Sequence, residues 1–430
     1  MNKEQQILTD HILSDELSRD GNPFPQFIID NQKRLSQVFL DENHSMDFSK
    51  LSAMEVILYF IDTEIYIYPF IDENKTLIQL FKKPEFLNIE QQLEITASSP
   101  TKIGLAGGGS DFTDYFEEGK QGHVINCAIN LYSTCKLITR EDKSISITTI
   151  NDAEKIEAKS LSELINHKQI GLIATILNFL SPHFGFNLNL STDFPIGSGL
   201  GGSSSITLSI LSAFNELLVE KWNKMELVQM AFLCERILFD NSGGWQDQYA
   251  IALGGIHEIK FNRNQHLLNK IPLSKDIIRG LEDRLVVCYT NISRNSGQVI
   301  DSQRKSLHSN NYLLESITES TSLVDKIKNE LINNDFENLS KSLCESGKIK
   351  QSFSSHTHSS QLMEIFNQAI NHGVIAGKIL GAGSGGHFLF MVNKEDKKSI
   401  IEKLNISGYP SQAIKIDNGG IIVDAVIVTK

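Results

Sequence analysis

The chain has 430 residues, of which 40% are apolar and 21% are charged, and its formal net charge at pH 7 is −12. This length exceeds one ordinary core, so the composition predicts a globular protein of two or three structural units rather than a disordered one. The negative charge disfavours a nucleic-acid-binding function, because affinity for a phosphate backbone depends on clustered Lys and Arg.

The sequence indicates neither a secretory signal nor a membrane-spanning segment. Residues 1–20 lack a basic segment followed by an apolar one, and the chain has no run of about 18 apolar residues. We therefore predict a cytoplasmic protein. The five cysteines are widely spaced and include no Cys-x-x-Cys pair, which disfavours a zinc site and indicates reduced thiols in the core.

Residues 1–90 carry no catalytic motif. They mix helix-like stretches with an aromatic-rich segment that runs from Leu58 to Phe70. We interpret them as a mainly helical N-terminal appendage that packs on the main body as a cap. A regulatory or oligomerisation role is the alternative interpretation.

From Leu93 the pattern changes to alternating apolar and polar residues, until three consecutive glycines, Gly107–Gly109, interrupt it. This change predicts a strand that ends in a tight loop. The same reasoning predicts a helix over residues 161–180 and strands over residues 124–138, 144–150 and 186–190. Together these elements indicate an α+β unit.

A glycine-rich segment follows the last of these strands and reads Pro195-Ile196-Gly197-Ser198-Gly199-Leu200-Gly201-Gly202-Ser203-Ser204. After it, apolar residues recur at helical spacing and predict a core-facing stripe, made of Ile206, Ile210, Leu211, Phe214, Leu217 and Leu218. Glycine permits close backbone approach and a helix N-terminus offers free amide donors, so the segment predicts a phosphate-binding loop. A structural glycine turn is the alternative.

This loop is of neither of the two commonest nucleotide-binding types. No Gly-Lys-Ser/Thr follows its glycines, as a Walker A loop requires, and no suitable βαβ unit surrounds it, as a dinucleotide loop requires. The segment therefore predicts a different nucleotide cradle.

A second unit is predicted from about residue 271. Its expected elements are strands over residues 285–290 and 388–392 and helices over residues 313–331 and 361–372. A third glycine loop, Gly381-Ala382-Gly383-Ser384-Gly385-Gly386, lies before the last of these strands. The predicted domains are thus residues 1–90, 91–270 and 271–430.

The loop at residues 195–204 closely resembles the phosphate loop of the GHMP kinases, a family that includes galactokinase, homoserine kinase and mevalonate kinase. Ser99-Pro100-Thr101-Lys102-Ile103-Gly104-Leu105-Ala106-Gly107-Gly108-Gly109-Ser110-Asp111 resembles the family's first motif, and the loop at residues 381–386 resembles its third. The three motifs stand in the family's order. The resemblance implies the α+β GHMP kinase fold, with a ribosomal-protein-S5-like unit over 91–270, a ferredoxin-like unit over 271–430 and ATP between them.

Within the family, the chain is most similar to D-glycero-D-manno-heptose 7-phosphate kinases, at residues 106–111 and at Gly243-Gly244-Trp245-Gln246-Asp247-Gln248-Tyr249. This resemblance implies Mg²⁺- and ATP-dependent phosphorylation of a small-molecule sugar or sugar phosphate, at the anomeric hydroxyl of the heptose. The alternatives are a kinase for fucose or a related hexose, and a non-catalytic sugar or nucleotide sensor. No nucleic acid or membrane partner is implied, and a homodimer is one possible assembly.

The resemblance also implies roles for individual residues. Asp247 would orient or deprotonate the accepting hydroxyl, Lys102 would stabilise charge on the transferring phosphoryl group, and Ser203 and Glu235 would hold magnesium. Nucleotide contacts are expected from Pro195, Gly197, Ser198, Gly199, Leu200, Gly201, Gly202, Ser203 and Ser204. Substrate contacts are expected from Gly108, Gly109, Ser110, Asp111, Gly383, Ser384 and Gly385.

Two of these carboxylates have structural alternatives, since Asp247 also suits a helix N-cap and Asp111 also suits a turn. Lys102 stands where heptose kinases and galactokinases usually carry arginine, which bears on the acceptor rather than on the reaction. A phosphate already present on the substrate would need a further cation. The candidates are Arg294 and Lys378, ranked first, and Lys348 and Lys350.

Overall fold

The computed structural model describes residues 65–71, 77–82, 84–117, 119–149, 155–165, 170–239, 241–262, 266–292, 299–300, 302–303, 311–353 and 359–427. The chain divides into two compact units, Met1–Glu85 and Phe86–Lys430. In the first unit, the described residues form an antiparallel hairpin of β1 (Ile65–Ile71) and β2 (Leu77–Lys82). The helices predicted nearer the N-terminus fall on residues outside the described ranges.

The first part of the second unit contains the first two glycine motifs. Its elements, in chain order, are β3 (Leu93–Ala106), α1 (Thr113–Glu117), β4 (Gly122–Arg140), β5 (Ile145–Thr148), β6 (Lys155–Ala158), α2 (Leu161–Ile165), α3 (Gly171–Leu180), β7 (Gly185–Thr192), α4 (Gly202–Asn215), α5 (Lys224–Phe232), a π-helical turn (Leu233–Leu238), α6 (Gln246–Leu253), β8 (Ile256–Phe261) and β9 (His266–Lys270). The strands and helices predicted here are confirmed. Within the helix predicted over 161–180, the described residues form α2 and α3, and residues 166–169 lie outside the described ranges.

The second part carries the third glycine motif. Its elements are α7 (Lys275–Glu282), β10 (Leu285–Tyr289), α8 (Asn311–Ile332), α9 (Phe336–Gln351), α10 (Ser360–Asn371), β11 (Ala376–Ile379), β12 (His387–Met391), α11 (Lys397–Ile406), β13 (Ser411–Ala413) and β14 (Ile422–Ile427). None of the described helices is both long enough and apolar enough to cross a membrane.

Two sheets organise the second unit. The larger has the strand order β14-β3-β4-β7-β5-β6, with β8 on β4 and β9 on β8, and its pairs are antiparallel except β5 with β7. The smaller sheet has the order β11-β12-β10-β13 and is antiparallel throughout. The last strand, β14, pairs with β3, so the chain returns to the first sheet at its end. The predicted boundary at residue 270 does not account for this return.

One core joins the two sheets, because side chains from β3 and β4 pack in the same cluster as those of β10, α8 and α9. A second cluster lies between the small sheet and the helices α10 and α11. The first eight residues of β4 are buried on both faces, and only beyond them does its burial alternate. β3 is therefore held firmly where it leads into the first glycine motif.

Small hydroxyl side chains bring α4 close to the large sheet. Ser205 Oγ donates to Ser99 O at 2.8 Å and lies 2.7 Å from Ser133 Oγ. The predicted apolar stripe on α4 is buried from Ile210 onward, whereas Ile206 faces the cleft described below. The helix therefore begins at the cleft and ends in the core.

A buried carboxylate ties the large sheet to α8. Glu258 accepts from His123 Nε2 and from Lys328 Nζ, both at 2.8 Å. Burial alone would raise the pKa of Glu258, but the hydrogen bonds from Lys328 and His123 outweigh it and hold the pKa at about 2. The ionised form of Glu258 therefore stabilises the fold.

Glu258→Gln is expected to lower the free energy of unfolding at pH 7 by about 1–3 kcal/mol, because Lys328 loses its buried partner. Since the folded pKa of Glu258 lies below its ordinary value of 4.5, this contribution is lost as the pH falls through about 2. The control is Glu345→Gln on the surface, whose 2.9 Å pair with Lys326 should contribute less than about 1 kcal/mol. Equal destabilisation of both variants in urea titrations would contradict the prediction.

Candidate active site

Three glycine loops converge on one cleft of about 610 Å³. We call residues 107–111 loop 1, residues 195–204 loop 2 and residues 381–386 loop 3. The cleft lining includes members of all three, together with side chains from α6, α9 and the π-helical turn. Three loops that are far apart in the sequence thus border one cleft in the folded chain.

Loops 2 and 3 meet backbone against backbone. Gly199 and Gly381 have φ angles of +75° and +61°, a left-handed conformation that glycine tolerates best. A Cβ on Gly381 would lie 2.4 Å from the Cα of Gly199. His387 adds two hydrogen bonds at 3.0 Å, since its backbone amide and its Nδ1 both donate to Ser198 O. The glycines here serve close packing as well as ligand access.

Loop 2 leads directly into the N-terminus of α4. Gly201 is the N-cap residue, its φ is +74°, and no side chain that the structure describes caps the first-turn amides. Among the described residues, the buried hydroxyl of Ser198 also lacks a hydrogen-bond partner, although Ser198 lines the cleft. Free amides and an unpartnered hydroxyl at a helix N-terminus are suited to an anionic ligand.

Lys102 and Asp247 form an ion pair in the cleft wall. Lys102 Nζ lies 2.8 Å from Asp247 Oδ1 and donates to Gln246 Oε1 at 3.2 Å. Burial would raise the pKa of Asp247, but Lys102 and Arg236 outweigh it and hold the pKa below its ordinary value. Trp245 is the N-cap residue of α6, so the N-cap interpretation of Asp247 does not describe its position.

Glu235 lies behind loop 2 on the π-helical turn. Its fully buried Oε2 accepts from Ser203 Oγ at 2.9 Å and from Ser204 Oγ at 3.1 Å, and Gln248 Nε2 donates to Oε1 at 3.2 Å. Burial raises the pKa of this carboxyl despite the nearby Arg236. Ser203 lines the cleft and Glu235 does not, so the serine separates the carboxylate from the open space.

Asp111 joins loop 1 to the start of α6. Its Oδ1 accepts from Gln246 Nε2 at 2.8 Å and from Gly109 N at 3.2 Å, and its Oδ2 accepts from Gln246 N at 3.2 Å. Burial raises the pKa of Asp111, and the nearby Asp247 adds to that effect. Asp111 is therefore a turn carboxylate, as the alternative interpretation held, and it lines the cleft as well.

Gln246 and Arg236 were not among the predicted site residues, whereas Lys350 was one of the four cations named as candidates for contact with a substrate phosphate. Gln246 bridges Lys102 and Asp111, Arg236 follows Glu235 on the π-helical turn, and Lys350 lies near the end of α9. Arg236 Nε is buried and has no partner within the described part of the chain. Arg236 directly follows Glu235, a predicted site residue, and this adjacency was a signal for it. The helix α9 carries no motif that would single out Lys350.

The predicted site residues divide into two groups. Those that line the cleft are Lys102, Gly108, Gly109, Asp111, Gly197, Ser198, Gly199, Gly201, Gly202, Ser203 and Asp247. Those that do not are Pro195, Leu200, Ser204, Ser110, Glu235, Gly383, Ser384 and Gly385.

The positions of this second group have local causes. Ser110 is fully buried and its hydroxyl donates to Gly107 O at 2.7 Å, so it closes the turn of loop 1. In loop 3, Gly381 and Ala382 line the cleft. Gly385 does not line it and instead packs against the backbone of Ile292, since a Cβ on Gly385 would lie 2.4 Å from Ile292 O. A substrate contact by Gly383, Ser384 or Gly385 therefore stays a prediction that the cleft lining does not favour.

Comparison with protein families finds two matches along the chain. Residues 169–255 match the GHMP kinases N terminal domain, and residues 324–410 match the GHMP kinases C terminal domain. A curated relative, D-glycero-alpha-D-manno-heptose 7-phosphate kinase of Campylobacter jejuni, is 32% identical over 316 residues, which cover 72% of this chain and 93% of the relative. L-fucokinase/L-fucose-1-P guanylyltransferase of Bacteroides fragilis is 25% identical over 76% of this chain, but only 37% of that protein is covered.

Solved structures show the same fold. A putative sugar kinase from Campylobacter jejuni matches with a TM-score of 0.59 and 27% identity, over 79% of this chain and 100% of the other. A D-glycero-D-manno-heptose 1-phosphate kinase from Bacteroides thetaiotaomicron matches with a TM-score of 0.63 and 24% identity, over 78% and 100%. The predicted α+β GHMP kinase fold is confirmed.

Gly381→Ala tests the contact between loops 2 and 3. We expect it to lower the free energy of unfolding by about 2–5 kcal/mol, because the new Cβ adds a backbone clash to the cost of the left-handed conformation. Gly408→Ala is the matched control, since Gly408 has a φ of +88° and no atom within 4 Å of the added Cβ. It should cost only about 1 kcal/mol. Similar losses for both variants in chemical denaturation would show that the clash is not there.

Proposed function

The chain belongs to the GHMP kinase family as an ATP-dependent sugar kinase, and we propose that its acceptor is the anomeric hydroxyl of D-glycero-D-manno-heptose 7-phosphate. The product would be the 1,7-bisphosphate. The observation that carries the chemistry is the 2.8 Å pair of Lys102 and Asp247 in a cleft bordered by three glycine loops. The choice of acceptor is supported by the 32% identity to the heptose 7-phosphate kinase.

Asp247 would receive the acceptor. Its lowered pKa keeps the carboxylate ionised at neutral pH, so it can accept a hydrogen bond from the attacking hydroxyl. The hydroxyl oxygen would form the new bond to the γ-phosphorus, the bond to the bridging oxygen of ADP would break, and the hydroxyl proton would pass to Asp247. A weak base suffices, because phosphoryl transfer has a loose transition state and depends mainly on positioning.

Lys102 would stabilise the charge that develops on the transferring group. Its ammonium is only 7% exposed, and an electrostatic contact is stronger where water is excluded. The backbone amide of Lys102 donates to Leu200 O at 2.9 Å, which fixes the residue against loop 2. Its position is therefore set before any ligand binds.

The nucleotide would occupy the side of the cleft formed by loop 2. The amides at the start of α4, the unpartnered Ser198 hydroxyl and the unpartnered Arg236 Nε all suit phosphate oxygens. Apolar side chains continue the same wall and would cover a purine ring: Leu172, Phe194, Ile196, Ile206 and Phe239.

The residues around Ser203 fit a magnesium ion. Ser203 and Glu235 offer oxygen ligands, which Mg²⁺ prefers, and their Oγ and Oε2 atoms lie 2.9 Å apart. The raised pKa of Glu235 reflects a buried carboxyl that a nearby cation would favour in its ionised form. Ser203 and Glu235 would hold the ion, which would supply charge neutralisation for the phosphate groups. Ser204 and Arg236 would keep Glu235 in place.

The test of the acceptor is a panel of sugars and sugar phosphates assayed with ATP and Mg²⁺. We expect the highest kcat/KM with D-glycero-D-manno-heptose 7-phosphate and a product whose new phosphate is on C1, identified by ³¹P and ¹³C NMR. Fucose and related hexoses are the comparison, because the fucokinase relative is 25% identical. A higher kcat/KM for one of these, or sugar binding without turnover, would refute the proposed acceptor.

Asp247→Asn tests the proposed chemistry. The amide keeps the size of the side chain but cannot take the proton, so kcat should fall by about 10²–10⁴ while both KM values change little. Asp424→Asn, on the exposed face of β14, is the control and should leave kcat unchanged. Steady-state kinetics would contradict the assignment if the Asp247 variant kept most of the wild-type kcat.

A further inference from the structure

Lys350 is a cation at the acceptor side of the cleft. It lies in the last turn of α9, and its Nζ is 4.0 Å from the point where a Cβ on Gly108 of loop 1 would stand. The nearby charges are Lys102, Asp111 and Asp247. Its position along the chain gave no indication that it lies so close to loop 1.

The base of Lys350 is rigidly placed. Ser346, one turn earlier, donates to Leu105 O at 3.0 Å and accepts from Lys378 Nζ at 2.7 Å. Gly347 lies so close to β11 that a Cβ would be 3.0 Å from Gly377 O. These contacts fix the end of α9 against β3 and β11, so Lys350 enters the cleft from an anchored helix.

The ammonium of Lys350 makes no hydrogen bond or ion pair with any residue that the structure describes. Asp111 is not its close partner, and the Asp111 carboxylate accepts instead from Gly109 and twice from Gln246. Asp247 is paired with Lys102. Burial and the neighbouring Lys102 lower the pKa of Lys350 to about 8, although Asp111 and Asp247 act in the opposite direction.

Lys378, which was ranked first with Arg294 for this role, already donates hydrogen bonds within the protein. Lys378 is buried, and its Nζ donates to Leu105 O at 2.9 Å and to Ser346 Oγ at 2.7 Å. Lys378 lines the cleft, but two of its three donors are engaged by the cleft wall, so it supports that wall. Lys348 is exposed, and Arg294 lies outside the described residues.

We propose that Lys350 binds the phosphate group that the acceptor already carries, and that this contact makes the enzyme select phosphorylated sugars over free sugars. Lys350 is partly exposed in the cleft wall, and among the described residues no anion lies within hydrogen-bonding distance of its ammonium, so an anionic ligand would supply a charge-assisted contact. The inference rests on the proposed function, because it presupposes a sugar phosphate as acceptor.

The position of Lys350 favours the acceptor over the nucleotide. The unpartnered donors suited to ATP lie on loop 2 and on the π-helical turn, at Ser198 and Arg236. Lys350 instead faces loop 1, where Asp111 and Gln246 border the cleft and Phe353 packs 3.2 Å from the Cβ position of Gly109. The Lys102–Asp247 pair is close to both groups, since a Cβ on Gly201 of loop 2 would stand 3.4 Å from Lys102 Cγ and both charges act on Lys350.

The experiment compares Lys350→Met with wild type, using heptose 7-phosphate and unphosphorylated heptose as acceptors. Loss of one charge-assisted contact should raise the KM for the phosphorylated acceptor about 10- to 100-fold. The KM for ATP, and kcat/KM for the unphosphorylated sugar, should stay within about twofold of wild type. Lys350→Arg, which keeps the charge, should recover most of the lost affinity.

Lys348→Met is the matched control, since Lys348 lies on the same helix but is exposed. It should leave every constant unchanged, and circular dichroism should show equal folding of all three variants. A rise in KM for ATP alone, or equal losses for the two acceptors, would overturn the assignment of Lys350.

The two proposals can fail separately. If another sugar phosphate proves the best acceptor and its KM depends on Lys350, the heptose assignment is wrong and the phosphate contact holds. If heptose 7-phosphate is the acceptor and Lys350→Met binds it normally, only the phosphate contact is wrong. A wild-type enzyme that prefers free sugars overturns the role of Lys350.

Discussion

The ion pair of Lys102 and Asp247 is the constraint on which the site depends. Lys102 belongs to β3, its amide bonds to loop 2, and its ammonium bonds to the first turn of α6. Three parts of the chain must therefore be in place before either charge is compensated. Because an unpaired buried charge costs several kcal/mol, the pair favours the one arrangement in which the loops and α6 surround a common cleft.

Around this pair, the surroundings shift the pKa values of three carboxyl groups in different directions. Burial raises the pKa of both Glu235 and Asp111, and each accepts hydrogen bonds from fixed protein donors. Only Asp247 has a lowered pKa, because Lys102 and Arg236 outweigh its burial. Differences of this kind separate the roles of neighbouring acids in an active site. Here they distinguish Asp247, which can act on a hydroxyl, from Asp111, which holds loop 1, and from Glu235, which lies behind loop 2 at the proposed magnesium site.

Local patterns in the sequence predicted much of the fold and part of the site. Alternation predicted β4 and β7, and glycine clusters predicted the loops, because those signals express the conformation of a few consecutive residues. The contact of Gly199 with Gly381, and the return of β14 to β3, join residues far apart in the chain and leave no local signal. For the same reason, the sequence could not show that Gly381 lines the cleft whereas residues 383–385 do not. Lys350 appeared as one of several lysines, because only the packing of α9 brings it to loop 1.

Lysine at position 102, where related sugar kinases usually have arginine, is consistent with phosphoryl transfer in this cleft. An ammonium group has three donors. Two of them are engaged, by Asp247 Oδ1 at 2.8 Å and by Gln246 Oε1 at 3.2 Å. The third remains for the transferring group. A Cβ on Gly201 would stand 3.4 Å from Lys102 Cγ, so the side chain runs close along loop 2, where the nucleotide phosphates would lie. The compact ammonium can thus contact acid and phosphate at one point, whereas a guanidinium would spread its donors over a wider fork.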